Sequence, residues 1–305
     1  MRILLTGASG FLGKYLIRQL SQDGMLFSVL ARNDLAVRAL LDVKGIDIHQ
    51  FDLLADVNPR PLLETVEATH LIHLAWFTKP GQFWEADVNQ DLYLASRNFI
   101  EAFCESGGKC VTVAGTCFEY GSSPRSCDEA TASTNPDTKY AASKAQLHEA
   151  VERICDVYGT SLGWARIFFP YGQGEPATKI IPSLIRAFRG EIPPFVVSRE
   201  DRRDFIHAAD VAAGLAEIAK HCDNGTYNVS SGISTKIAEL VEIIAHSEGA
   251  DPNLILGLSH GGDRPISAMV GRSERLRTLG WSPKISLIEG IRGLCESPDL
   301  ISPTG

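Results

Sequence analysis

Residues 6–13 read TGASGFLG, at the end of the apolar run RILLT and ahead of an amphipathic segment over 11–20. Three glycines fall in a G-x-x-G-x-x-G spacing: Gly7, Gly10 and Gly13. In that spacing, Gly7 permits a tight strand-to-helix turn, Gly10 lets backbone approach a pyrophosphate, and Gly13 lets the helix lie close to the sheet. The helix N-terminus then offers unpaired N–H groups to an anion. Placed between a first strand and a first helix, the loop predicts a dinucleotide site built from Gly7, Ser9, Gly10, Phe11, Leu12 and Gly13.

The rhythm around it supports this. Apolar runs at 2–6, 26–31, 46–51, 70–75, 109–114 and 161–168 alternate with helical patterns at about 11–22, 34–43, 58–67, 85–106 and 138–158. Most of the runs are continuous rather than alternating, as strands buried on both faces should be. The expectation is an α/β fold with a doubly wound parallel sheet of Rossmann type over residues 1–168. Prolines at 170, 176, 182, 193 and 194 then break the pattern. Residues 169–305, with helices expected at 178–189, 208–221, 234–247 and 286–295, read as a smaller irregular α/β lobe for substrate. Segments near 203–229 are expected to return to the first domain.

Composition narrows the function. The chain has 305 residues, 44% of them hydrophobic, and a formal net charge of −8. No Lys/Arg-rich run suggests nucleic acid or an anionic membrane, so an anionic substrate must be met by a few placed arginines. Seven cysteines stand at 104, 110, 117, 127, 155, 222 and 295, with no CxxC and no HExxH. They read as free thiols of a cytoplasmic protein, with no metal expected. The start, MRILLTG, carries one charge and an apolar run too short for a signal peptide, and no stretch approaches the ~18 residues of a membrane span.

The second strand bears on which dinucleotide is bound. It ends Val29-Leu30-Ala31-Arg32-Asn33, with Arg32 where an acid would hydrogen-bond the ribose diol of NAD. Arg32 suits the 2′-phosphate of NADP(H), the favoured cofactor. NAD stays possible if Arg32 is a solvated surface residue and Asp34 holds the ribose. Asp52, beside Leu53 after the third strand, is a candidate for the adenine amino group or else a helix cap.

Residues 138–144 read TKYAASK. Tyr140 and Lys144 lie four apart, on one face of a helix. An ammonium beside a phenol lowers its pKa, and such a tyrosine can exchange a proton with a hydroxyl or carbonyl while hydride moves.

Taken together, these motifs resemble the extended short-chain dehydrogenase/reductase family, in particular its nucleotide-sugar epimerases, dehydratases and 4-ketoreductases. TGASGFLG, His73-Leu74-Ala75, GTCFEYG, YAASK, Arg203-Asp204-Phe205-Ile206-His207 with Asp210-Val211-Ala212, Gly262-Asp263-Arg264-Pro265 and Leu279-Gly280-Trp281-Ser282-Pro283 carry the likeness along the whole chain. The resemblance implies Tyr140 as general acid/base, Lys144 as holder of the nicotinamide ribose and tuner of Tyr140, and Thr116 as hydrogen-bond partner of the reacting oxygen. It places Leu74 and Ala75 at the cofactor. It makes Asn89, Arg203 and Arg264 substrate candidates, against a structural role for Asn89 and ion pairs for the arginines. Trp76, Phe83 and Trp84 follow the fourth strand and wall the sugar pocket unless they are core. A homodimer through the helices at 85–106 and 138–158 is implied by the same analogy.

The resemblance also separates reactions. The family's 4,6-dehydratases carry Asp and Glu after the threonine, where this chain has Cys117 and Phe118. A buried thiol is a poor acid and phenylalanine has no proton to give. The sequence therefore points to NADPH-dependent reduction of the C4 keto group of a dTDP- or CDP-linked 4-keto-6-deoxyhexose. A nucleotide-sugar 4-epimerase with tightly bound NAD is the alternative. A non-enzymatic dinucleotide sensor is the third reading, with the intact Thr116-Tyr140-Lys144 set against it.

Overall fold

The first strand, β1 (Arg2–Thr6), is buried from Ile3 onward and lies inside a parallel sheet, paired on both sides. The structure is a computed structural model that describes residues 1–32, 46–121, 127–130, 134–258 and 267–297. Around β1 lie β2 (Leu26–Ala31), β3 (Asp47–Gln50), β4 (His70–His73), β5 (Cys110–Thr116), β6 (Ser161–Ile167) and β7 (Gly225–Val229). Their spatial order is β7-β6-β5-β4-β1-β2-β3, and every pairing is parallel. The order reverses between β1 and β4, which opens a crevice at the carboxyl ends of the strands.

Helices cover both faces. On one, α1 (Phe11–Gln22) buries Gly13, Leu16, Ile17 and Leu20, and packs with α6 (Ala208–His221). On the other, α3 (Val88–Glu105) and α4 (Lys139–Tyr158) bury Phe99, Phe103, Leu147 and Val151 against β4, β5 and β6. The short α2 (Arg60–Val66) precedes β4 and begins with a proline in its first turn, where the missing N–H costs nothing. The helix expected over 34–43 lies outside the described residues.

The lobe has its own core. In it α5 (Ile180–Phe188), α7 (Ile237–Glu248) and α8 (Leu287–Glu296) bring together Leu184, Leu240, Ile244 and Ile291. Buried carboxylates organise its junction with the sheet. Asp204 accepts from the backbone N–H groups of Ser231, Gly232 and Gly271, and from the Ser231 hydroxyl. Burial nevertheless raises its pKa to about 6. Asp210 accepts from the N–H groups of Lys284 and Ile285, while its carbonyl accepts from Trp281 Nε1. These contacts give a physical reason for the RDFIH and LGWSP stretches. No helix among the described residues is long and apolar enough to cross a membrane.

At the crevice, one imidazole ties three elements together. His73 Nδ1 shares a hydrogen bond of 2.9 Å with Thr6 Oγ1, and its Nε2 meets Ser96 Oγ at 2.9 Å on α3. Burial, with a smaller push from Lys144, lowers its pKa from 6.5 to about 3. The folded chain thus refuses a proton that the unfolded chain accepts between pH 6.5 and 3. This site therefore removes stability as pH falls through that window, by about 1.4 kcal/mol per pH unit. Urea unfolding at pH 7 and pH 5 should show His73→Gln with a flatter pH dependence, by about one proton, than the parent. An unchanged slope would show that His73 does not set the acid limit.

Candidate active site

The glycine loop has the shape its spacing predicts. Gly7 takes φ +74°, and a Cβ there would stand 2.7 Å from Ala75 N. A Cβ on Gly13 would stand 2.3 Å from Gly7 O, so the first turn of α1 closes onto its own loop only without a side chain. Gly10 is the N-cap, and no side chain caps the helix. The free N–H groups of that turn and the side-chain-free approach fit a pyrophosphate. Ser9, Phe11 and Leu12 lie on the same turn, and Leu74 and Ala75 face it from the end of β4, where Ala75 N donates to Thr6 Oγ1.

Arg32 is exposed at the tip of β2, and Asp34 lies outside the described residues. Asp52 is partly spent locally: its Oδ1 accepts from Leu54 N at 3.0 Å, a turn role rather than a helix cap. A groove of about 330 Å³ beside Leu53 is also lined by Phe51, Asn98 and Phe99. Asp52 is not among its lining residues, and none of them belongs to the Thr116–Tyr140–Lys144 group.

Thr116 ends β5, where the chain turns into a 3-10 turn over Cys117–Tyr120. Tyr140 opens α4, with its hydroxyl near enough to Thr116 for that side chain to act on the phenol. The ring packs edge-on against Phe83 at 4.9 Å and Trp84 at 5.9 Å. Burial raises the phenol's pKa, Thr116 offsets part of the rise, and Cys117 and Glu119 add to it. Here the structure departs from the expected tuning. Lys144 Nζ donates to Ala114 O at 2.8 Å and lies 3.8 Å from the centre of the Trp76 ring. The ammonium is engaged by that carbonyl and that π face, and burial lowers its own pKa to about 7.

Asn89 turns out to be a bracket within the fold. It accepts from Trp76 Nε1 at 2.9 Å, while its Nδ2 donates to Phe83 O at 2.7 Å and Ala86 O at 2.9 Å. Wholly buried with these bonds made, it fixes the loop that presents Trp76 and Phe83 and leaves no group for a substrate. Cys117 points inward too, among Tyr120, Cys127, Phe168 and Met269, and burial pushes its thiol well up. Phe118 packs on the edge of that cluster, 4.7 Å from Trp84 and 5.8 Å from Phe169. Phe83, Trp84, Phe118 and Phe169 thus make a continuous wall beside Tyr140. Arg203 backs that wall over Phe169 at 5.3 Å and is ion-paired with Asp201 at 3.3 Å. Arg264 lies outside the described residues.

Glu119 was not singled out from the sequence. Its carboxylate accepts from Thr116 N at 2.8 Å, Trp164 Nε1 at 3.0 Å and Arg166 Nε at 2.8 Å, all buried. Only its place three residues after Thr116, a capping-box spacing, marks it in the sequence.

A parallel sheet in 3-2-1-4-5-6 order, a glycine-cradled helix N-terminus at its crevice and a Thr-Tyr-Lys set beside it define a Rossmann-fold oxidoreductase of the extended short-chain type. Residues 3–230 match the NAD dependent epimerase/dehydratase family, and the chain belongs to that enzyme family. It is 28% identical over 319 residues to a GDP-6-deoxy-D-mannose reductase of Pseudomonas aeruginosa, covering 96% of this chain and 95% of the relative. It is 25% identical over 337 residues to UDP-glucose 4-epimerase 2 of Oryza sativa, covering 95% and 80%. The UDP-glucose 4-epimerase of Thermus thermophilus, solved with NAD, superposes with a TM-score of 0.79 at 23% identity, covering 96% and 97%.

Replacing Tyr140 by Phe keeps the ring contacts and removes the proton. General acid–base catalysis contributes ~10²–10⁴-fold, so kcat should fall by at least 100-fold while cofactor affinity holds. Retention of more than about a tenth of kcat would remove Tyr140 from the proton-donor role.

Proposed function

We propose that the chain is an NADPH-dependent 4-ketoreductase of a nucleotide-activated 4-keto-6-deoxyhexose. The observation that carries this is the Thr116–Tyr140 hydroxyl pair, flanked by an inward thiol at Cys117 and a bare ring at Phe118. The pair can polarise and protonate one oxygen. Neither flanking residue supplies the further acid and base that expulsion of water would require.

A bound reduced nicotinamide supplies the hydride. Thr116 and Tyr140 donate to the C4 carbonyl oxygen, and Tyr140 transfers its proton as the alkoxide forms. A buried phenol held in its protonated form is ready for reduction. A 4-epimerase would need the phenolate first, to accept the proton of a C4 hydroxyl. The aromatic wall excludes water and packs against the apolar face of a deoxysugar, and Arg203 stands behind it as a candidate for the diphosphate.

Arg32 supports NADPH. Two charge-assisted hydrogen bonds to a 2′-phosphate are worth about 1.5–3 kcal/mol each before desolvation losses, so a preference of about 10-fold or more is expected. Arg32→Asp should reverse it, as read from dissociation constants for both cofactors. Equal constants in the parent would remove Arg32 from cofactor selection.

The reaction itself is tested by turnover. The purified chain should carry little NAD⁺ and oxidise NADPH stoichiometrically with dTDP-, CDP- or GDP-linked 4-keto-6-deoxyhexoses. Tightly bound NAD⁺, with interconversion of C4-epimeric nucleotide sugars and no added reductant, would assign the chain to the epimerases instead.

A further inference from the structure

At the opposite end of the strands from Thr116, three donors converge. His70 opens β4, Cys110 opens β5, and the two are register partners, so their side chains emerge on the same face. Cys222 closes α6 over that face. The ligating atoms of the three residues all lie within 4.8 Å of one another. We propose that His70, Cys110 and Cys222 bind one thiophilic divalent metal ion, with Zn²⁺ the occupant their chemistry suits.

The geometry is close to what such an ion needs. With Zn–S near 2.3 Å and Zn–N near 2.0 Å, tetrahedral donors stand roughly 3.5–3.8 Å apart, so a contraction of at most about 1.3 Å completes the set. Three protein ligands leave the fourth position to water. The imidazole is oriented from behind: Thr69 Oγ1 meets His70 Nδ1 at 2.8 Å, leaving Nε2 to ligate, the arrangement that fixes a metal-binding histidine.

A second observation is independent of the cluster. Cys222 adopts φ +58°, a left-handed conformation that glycine or asparagine usually fills at a helix C-terminus. Here a cysteine takes it, and the turn carries the sulfur back toward the strand ends. As thiols the two sulfurs have weak partners, with Cys110 Sγ 3.9 Å from Ala219 O and Cys222 Sγ 3.6 Å from Lys109 O. The chain's N-terminal ammonium and Lys109 lie close enough to His70 to act on it. The same two cations oppose a 2+ ion, and two thiolates cancel that charge. Binding releases the two thiol protons.

The test uses the full chain, reduced, stripped of metal and checked for folding by circular dichroism. Titration with Co²⁺ should give a thiolate-to-cobalt charge-transfer band that saturates at one ion per chain and disappears on adding Zn²⁺. Half-exposed Cys222 is the first variant: Cys222→Ser should abolish the band, and His70→Gln should weaken binding at least 10-fold. Cys295→Ser, in the distant lobe, should leave it intact. Thr69→Val should weaken it about 10–100-fold. A folded, reduced chain with no band overturns the proposal. So does a band that survives Cys222→Ser, or a Cys110–Cys222 disulfide that reforms in place of metal uptake.

Discussion

The carboxylate of Glu119 is wholly buried, and the catalytic end of the sheet is arranged around it. It joins the backbone of Thr116 at the end of β5 to Trp164 and Arg166 on β6. Two ions removed from water gain only when their remaining donors and acceptors are satisfied, and here both carboxylate oxygens accept hydrogen bonds. Gly115 follows from the same constraint, since a Cβ there would lie 2.3 Å from Trp164 Nε1 and 2.6 Å from Glu119 Oε1. Arg166 also lies 4.5 Å from the centre of the Tyr120 ring, and His148 stacks on Trp164 at 4.4 Å. Thr116 is therefore held from behind by the core, and its hydroxyl, which accepts from Phe118 N at 3.3 Å, keeps its proton to donate on the Tyr140 side.

What the sequence made legible was mostly local. The glycine loop, the strand rhythm and the Tyr140/Lys144 spacing each sit within a few residues, so periodicity and turn chemistry suffice to read them. The strand limits shifted slightly: β4 stops at His73 because Leu74 and Ala75 turn toward Thr6. Features that depend on distant partners were hidden. Glu119 meets Arg166 across strands, and His70, Cys110 and Cys222 come from three elements with no spacing to advertise them. Asn89 was visible as a residue but not as a bracket, because its role depends on Trp76 and Phe83 being drawn to it.

Cys117 and Phe118 show how one turn divides its duties. With three residues per turn, the 3-10 geometry sets consecutive side chains about 120° apart, the thiol inside a small buried cluster and the ring on its edge, where it also joins the wall. Phe118 joins Trp84 to Phe169, and so couples the loop after β4 to the strand leading into the lobe. A polar residue at 118 would leave that seam open to water. The seam and the proton pair form one surface.

The return of the chain to the sheet has a consequence for how the molecule is made. β7 completes the sheet against β6, and α6 covers the apolar stripe of α1, yet both arrive from beyond residue 200. During synthesis, β6 must wait as an open edge and α1 as a bare face until the lobe's first segment has been translated. Contacts of such long sequence separation slow folding, and an unpaired edge invites pairing with another chain. The cofactor half is thus not an autonomous module that gained a lobe. It is a fold closed by its own late residues, and its assembly in the cell depends on what shields that edge in the interval.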